Sequence, residues 1–336
     1  SRGGPGRRCT DNTGVLEILK VTFPFFALVL CGYLATHRRV LPFDAIGGLN
    51  AFVLYFALPC MLYRFGASLP VTRLFDPAVV AVWLPCALLM VAATIRASFN
   101  DRIGWNDASF GALVAAFPNT GFMGVPLLVA LLGAGAAGPA IATILIDLVV
   151  TTSLCIALSR LDGAGHGGAA AAAAARKALR AAALNPMPWA ILLGGLSSAL
   201  GLEPLGPLAA TIGLLGDAAS PVALFTIGAV LARSQHRAAR TRTFLPGRDY
   251  LPVALAKLVA HPLLVLAAGT GAVALGLPLD PFALTVLVLV AALPSASNVS
   301  VLSDRFGADT GRIARIILVT TAAAFFTFSG AVALLT

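Results

Sequence analysis

Charge is what this sequence has least of. Asp, Glu, Lys and Arg make up 11% of its 336 residues, where soluble domains carry about 25%. A chain so poor in charge cannot clothe a water-facing surface. With 59% hydrophobic residues and a mean hydropathy of +0.92, it reads as an integral membrane protein with short aqueous parts. Period-two alternation is missing from the apolar stretches, which argues against a transmembrane β-barrel. No cysteine pair has CxxC spacing. Four of the five cysteines (Cys31, Cys60, Cys86, Cys155) fall in apolar segments and Cys9 precedes them, so free thiols are expected rather than disulfides or a metal site. The four histidines are scattered. GxSxG, HExxH and a P-loop are all absent. The expectation is therefore no enzyme, no metal and no organic cofactor.

What remains is a row of apolar segments of the length that crosses a bilayer, ~20 residues each. Ten can be read, at 15–36, 43–65, 77–98, 107–133, 138–159, 185–201, 205–232, 250–276, 281–306 and 309–335. The fold class is thus an all-α polytopic membrane protein with ten transmembrane helices. Residues 1–14 read as a leader or remnant outside the fold. The Gly- and Ala-rich stretch 160–184 divides a first five-helix half (15–159) from a second (185–336).

The net charge of +9 has a topological explanation that needs no nucleic acid. Sixteen of the 23 Lys and Arg residues lie in or beside the loops after segments 1, 3, 5, 7 and 9. The opposite side holds Lys20, Arg64, Arg73 and the three arginines of the leader. The positive-inside rule makes the rich side cytoplasmic, so the 160–184 linker is cytoplasmic and both termini lie outside. Five crossings is an odd number, so the second half enters the membrane inverted. Weak similarities recur in the same order in both halves: "FALPCMLYRFGA" with "ASPVALFTIGAV", "LVVTTS" with "ILVTTA", and the stretch around Pro118 and Asn119 with "ALPSASNVS" around Pro294 and Asn298. That order reads as an inverted-topology repeat.

Segments 4 and 9 are broken at corresponding places. Pro118 and Pro294 each remove a backbone donor and end a first half-helix. Asn119 and Thr120 in one half, and Ser295, Ser297 and Asn298 in the other, are good helix N-cap types. Non-helical backbone at membrane depth is tolerated only beside protein or a water-filled cavity, and paired broken segments point to a transporter's substrate site. Two half-helix N-termini meeting there would hold an anion, most simply a carboxylate. The alternative is that Pro and Gly merely kink two helices. The matched positions and the capping residues after each break favour the site.

"NTGFMGVPL", "LPSASN" and "SPVALFTIGAVLA" resemble the auxin efflux carrier family of secondary transporters, over essentially the whole chain from residue 15. "NPMPWAILLGG", "SLCIALSRLDGAG" and "RFGADTGRIARIIL" further resemble its bacterial malonate-transporter branch. The resemblance implies the sodium–proton antiporter and bile-acid transporter fold. Helices 1, 2, 6 and 7 would form a dimerising scaffold, and helices 3–5 and 8–10 a mobile core in which helices 4 and 9 cross at the substrate. Pro118 and Asn119 match the first crossover, Pro294 and Asn298 the second. The long cytoplasmic loop of the plant carriers is replaced by a short linker.

Ionisable residues within membrane segments are functional candidates by default. Asp147, in segment 5, would carry a proton or help bind a coupling cation, or else pair structurally with a neighbouring helix. Thr151, Thr152, Thr320 and Thr321 are candidate cation ligands, although hydroxyls bonded within their own helix are the commoner case. Lys257 and His261, four apart on one face of segment 8, would offer positive charge to a dianion. Alternatively Lys257 snorkels to the cytoplasmic surface, the slightly favoured reading. Asp217 would be structural, capping a break at Pro221. Asp304, Arg305 and Arg312 are expected to be solvated.

The expected function is secondary active transport of a small organic anion across a bacterial inner membrane by a homodimer in lipid. Malonate or a similar carboxylate is the first substrate, H+ or Na+ the coupling ion, and an elevator movement the means of access. The rivals are a facilitator of auxin-like monocarboxylates and a cation–proton antiporter on the same fold.

Overall fold

An apolar chain in a bilayer must close its backbone hydrogen bonds within each segment. In the computed structural model, which describes residues 11–70, 76–161, 183–241 and 246–336 with isolated positions between 173 and 180, the regular structure is helical throughout. Residues 1–10 of the leader with Cys9, most of the 160–184 linker with Lys177, and Arg73 and Arg242 lie outside the described residues. The helices are α1 (Asp11–His37), α2 (Ala45–Ser68), α3 (Pro77–Ser98), α4 (Trp105–Ala116), α5 (Thr120–Leu132), α6 (Ala134–Leu158), α7 (Pro186–Leu200), α8 (Gly206–Thr241), α9 (Leu251–Ala274), α10 (Pro281–Ala292), α11 (Val299–Arg305) and α12 (Thr310–Leu335). Among the described residues, seven of them (α1, α2, α3, α6, α8, α9 and α12) are long and apolar enough to cross a membrane. The chain is a multi-pass membrane protein.

Asp76, Asn185 and Asp280 cap α3, α7 and α10 through their side chains, each followed by a proline in the first turn. Pro221 does not break its helix: α8 runs through it from Gly206 to Thr241. The expected cap by Asp217 is therefore corrected. Its carboxylate instead accepts a 2.6 Å bond from Arg64 of α2 on an exposed face.

Helix α1 packs chiefly on α8, and the second half of α2 on α7 and α8. Helices α3 to α6 pack with α9, α10, α11 and α12 around the core that contains Trp83, Phe110 and Phe328. The contacts within the first group are backbone-close. A Cβ on Gly32 would lie 1.9 Å from the Phe225 carbonyl oxygen, and one on Gly228 1.8 Å from that of Val29. At the α2–α7 crossing, a Cβ on Gly194 would lie 2.3 Å from the Tyr63 carbonyl oxygen and one on Gly66 2.9 Å from that of Ile191. Small residues let helices approach where lipid supplies no hydrophobic drive.

Gly228→Ala is therefore expected to push α1 from α8 and to destabilise the protein by about 1–3 kcal/mol. Gly213→Ala on the same helix, where an added Cβ meets nothing within 4 Å, is the control. Equal thermal unfolding midpoints for the two variants in detergent would refute close packing as the role of Gly228.

Candidate functional site

The two breaks follow from proline. Phe117 and Leu293 each precede one and are extended (φ −98°, ψ 102° and φ −62°, ψ 155°), because a following proline disfavours the helical region. Helices α4 and α10 stop there after twelve residues each, about 18 Å of rise, which is somewhat more than half of a hydrocarbon core ~30 Å thick.

The freed backbone groups satisfy each other across the gap. Asn119 N–H donates to the Pro294 carbonyl at 2.8 Å, and Ala296 N–H to the Phe117 carbonyl at 3.0 Å. Pro118 and Ser295 form an isolated antiparallel bridge. The breaks thus meet in a single crossing. Thr320 of α12 secures it by accepting from Ser295 N–H at 3.3 Å while donating to the Ile317 carbonyl. Thr320 accordingly stands at the crossing.

The side-chain capping expected after each break does not occur. Asn119 and Asn298 hold the residue before each second half-helix, but neither makes a capping bond. Main-chain carbonyls do the work. Met123 and Gly124 donate to the Asn119 carbonyl, and Val299, Ser300 and Val301 to those of Ala296, Ser297 and Asn298. The polar side chains are thereby left over. Thr120 Oγ1, Ser295 Oγ and Asn298 Oδ1 are buried without a partner among the described residues. A buried polar atom without a partner costs ~1–3 kcal/mol, so each has a reason to seek a ligand or water.

Beside the crossing lies a cavity of about 540 Å³, bounded by α2, α5, α6, α8 and α11. Ser297, Asn298 and Ser300 bring the second break to its wall, and Phe122 brings the first. Thr152, adjacent to Thr151, also lines it. Asn119, Thr120, Pro118, Pro294 and Ser295 lie behind that wall, and so do Lys257 and His261.

Lys257, expected to snorkel, is instead fully buried, as are Asp147 and His261. Its ammonium donates to the Ala291 carbonyl at 2.7 Å, the last turn of α10, and lies 3.1 Å from His261 Nδ1. The other ring nitrogen of His261, Nε2, has no partner among the described residues. Asp147 Oδ1 accepts from Trp83 Nε1 at 3.1 Å and from Thr151 Oγ1 at 3.0 Å, while Oδ2 has no hydrogen-bond partner among the described residues. The Trp83 and His261 rings are 5.3 Å apart. Trp83, which sequence reasoning passed over, thus joins the Asp147 side of the cluster to the Lys257 side. Asp147 opens a π-helical turn, Asp147–Thr151, and Lys257 sits within another, Ala256–Ala260. Such turns cluster at functional sites.

Arg312 also departs from expectation. It is 2% exposed and donates Nε to the Asp249 carbonyl at 2.7 Å and Nη1 to the Asp107 carbonyl at 2.8 Å. Asp304 and Arg305 are exposed as expected.

Comparison with known proteins identifies relatives along most of the chain. A "Putative malonate transporter" of Rhizobium meliloti (strain 1021) is 29% identical over 315 residues, covering 94% of each chain. An "Uncharacterized transporter" of Methanothermobacter thermautotrophicus is 26% identical over 298 residues, 88% of this chain and 90% of its own. The "Uncharacterized transporter YfdV" of Escherichia coli K12 is 25% identical over 298 residues, 85% of this chain and 88% of its own. The family model described as "Membrane transport protein" matches residues 17–332, so the chain belongs to that family of membrane transport proteins, the auxin efflux carriers its motifs resemble.

Proposed function

We propose that the protein is a secondary active transporter of a small organic anion, with malonate or a similar carboxylate as first choice. The observation that carries this reading is the crossing of two broken segments beside a cavity whose lining, among the described residues, contains Arg, Asn, Ser and Thr side chains but no Asp or Glu. Membrane transporters place substrates at such discontinuous helices, and a cavity without carboxylates does not repel an anion. The malonate assignment draws further support from the relative named for that substrate.

The elevator reading draws on the two packing groups. α1, α2, α7 and α8 would be the scaffold, and α3–α6 with α9–α12 the moving core. Several features favour an inverted repeat of ten crossings: two first half-helices of equal length, each with an extended residue before proline, and two glycine crossings that pair segment 1 with 7 and segment 2 with 6. The exposed leucines of α7 (Leu192, Leu193, Leu196, Leu200) would face lipid or a second copy. The arginine-rich end would be cytoplasmic and the termini outside, in a bacterial inner membrane. Asp147 and Thr151 would carry the coupling ion, with Lys257 and His261 as their buried neighbours.

Uptake of labelled malonate by proteoliposomes, with imposed proton or sodium gradients, tests the assignment. Gradient-driven accumulation is expected. Uptake that only equilibrates would make the protein a facilitator, and failure of every mono- and dicarboxylate to bind or enter would sink the carboxylate reading. Asn298→Ala is expected to weaken malonate binding about tenfold or more, the scale of a hydrogen bond to a charged group. Asn119→Ala, at the matched position, is expected to weaken it as well. Unchanged dissociation constants in both variants would remove the asparagines from the site.

A further inference from the structure

The cavity carries two cations that the substrate assignment has not used. Arg233 comes from α8 and Arg305 from the end of α11, and both line the same cavity as Ser297 and Asn298. Arg305 follows Asn298 by seven residues. Two helical turns put it on the same face, ~10 Å further along. Helical side chains lean toward the N-terminus of their helix, so the long Arg305 arm extends back toward Asn298. Val301 and Leu302, one turn between them, line the same cavity, which fixes that face as the one turned inward. Arg305 is exposed and makes no ion pair or side-chain hydrogen bond among the described residues. Asn50 and Asn185 add neutral polar groups to the wall. The nearest acids in sequence, Asp304 and Asp147, do not line the cavity.

We propose that Arg305 and Arg233 grip the second carboxylate of a dicarboxylate whose first carboxylate is held at Ser297 and Asn298, and so set the preference for dianions over monoanions. This deepens the carboxylate-transport reading and rests on it. The chemistry suits the task, because a guanidinium presents a planar fork of donors that matches a carboxylate in two bonds and stays charged. Arg305 belongs to the same helix group as the crossing, and Arg233 to the other. A diacid held by both ties the two groups together, whereas a monoacid held at Asn298 does not.

A plainer account is that both arginines only orient the chain by the positive-inside rule. The two accounts differ in what they predict for ligands of equal size and unequal charge. Malonate and its monoamide, malonamate, are such a pair. Binding is measured by calorimetry on the purified full-length protein in detergent, at low and at high salt, for wild type, Arg305→Gln, Arg305→Lys and Arg233→Gln. Wild type is expected to prefer malonate about tenfold or more, corresponding to ~1.4 kcal/mol. Each glutamine variant is expected to lose most of that preference while binding malonamate as wild type does. Arg305→Lys should keep part of the preference, since charge survives but the fork does not. Unchanged malonamate affinity also reports that the variants are folded. A wild-type preference that survives in both glutamine variants overturns the proposal. Equal wild-type affinity for the two ligands overturns it while leaving carboxylate transport standing. Failure of wild type to bind either ligand overturns the carboxylate reading, and the proposal with it.

Discussion

Asp147→Asn is expected to abolish substrate accumulation driven by an ion gradient while leaving substrate exchange across the membrane in place. Asp147 is fully buried, and the two hydrogen bonds that hold it both fall on Oδ1, from Trp83 and Thr151. Asparagine keeps that acceptor and nearly the same volume, so the cluster should survive the change. What it loses is the ability to exchange a proton or balance a cation at Oδ2, the oxygen that has no hydrogen-bond partner among the described residues. A carboxylate buried with a free oxygen is costly to leave ionised, since burying an ion costs several kcal/mol even after relaxation. A coupling ion lifts that cost in one step of the cycle and restores it in another, which is how binding energy becomes work against a gradient. Exchange requires only the loaded carrier to reorient, so it need not release the ion.

The measurement compares gradient-driven uptake with counterflow in proteoliposomes. Complete loss of the first with retention of the second identifies Asp147 as the coupling residue. Gradient-driven uptake at the wild-type rate would assign it to structure. Loss of both, with a lowered unfolding temperature, would assign it to the folding of the cluster. Thr151→Val separates geometry from chemistry. It removes a donor to Oδ1 but no charge, and should slow uptake without ending its dependence on the gradient.

The helices and breaks could be read from sequence because their causes are local. Segment 3 was bounded correctly at 77–98 and is the helix Pro77–Ser98, since Asp76 caps it and unbroken apolar length fills it. The breaks at Pro118 and Pro294 were legible because proline acts on its own residue and the one before it. What the leftover side chains do was not legible, because it depends on which face of a helix each residue occupies. Helices α4 and α10 are buried nearly all round, so no polar stripe marks an outer face. Lys257, about two turns into α9, has the local pattern of a lysine that snorkels to an aqueous end. Its ammonium instead meets the Ala291 carbonyl, thirty-four residues away in sequence. Trp83 was invisible for the same reason: among apolar neighbours, nothing local distinguishes an indole that donates to Asp147 from one that fills space. The caps failed differently. Their residue types were right, but nearby main-chain carbonyls accept the helix-end amides instead, Asn119 from Met123 and Gly124 and Ala296, Ser297 and Asn298 from Val299, Ser300 and Val301.

Arg312→Ala is expected to destabilise the protein by about 3–5 kcal/mol, the range found when one member of a buried charged network is removed. Arg312 lies in the first turn of α12, where Asp309 caps the helix by accepting from the Arg312 amide at 2.9 Å. Its guanidinium then reaches two other elements: the turn Gly247–Asp249 before α9, through the Asp249 carbonyl, and the first turn of α4, through the Asp107 carbonyl. The acids around it are themselves committed, Asp107 to the Asp309 amide at 2.7 Å and Asp249 to Arg102 at 3.1 Å. Room for the group is made by Gly111, where an added Cβ would fall 2.7 Å from Nη1. Truncation would take a donor from two carbonyls and the shared cation from three carboxylates, those of Asp107, Asp249 and Asp309. All the tied elements belong to one packing group, so the damage should fall on the body that carries the crossing rather than on its contact with α1 and α8. The check is thermal unfolding of the purified protein, with Arg96→Ala on an exposed position of α3 as the control for simple loss of charge. A midpoint lowered by roughly 5–10 °C, set by how unfolding entropy scales with chain length, is the expected result. Arg312→Lys should fall between, because an ammonium cannot span two carbonyls as a fork does. Should Arg312→Ala melt where Arg96→Ala does, the guanidinium holds nothing together.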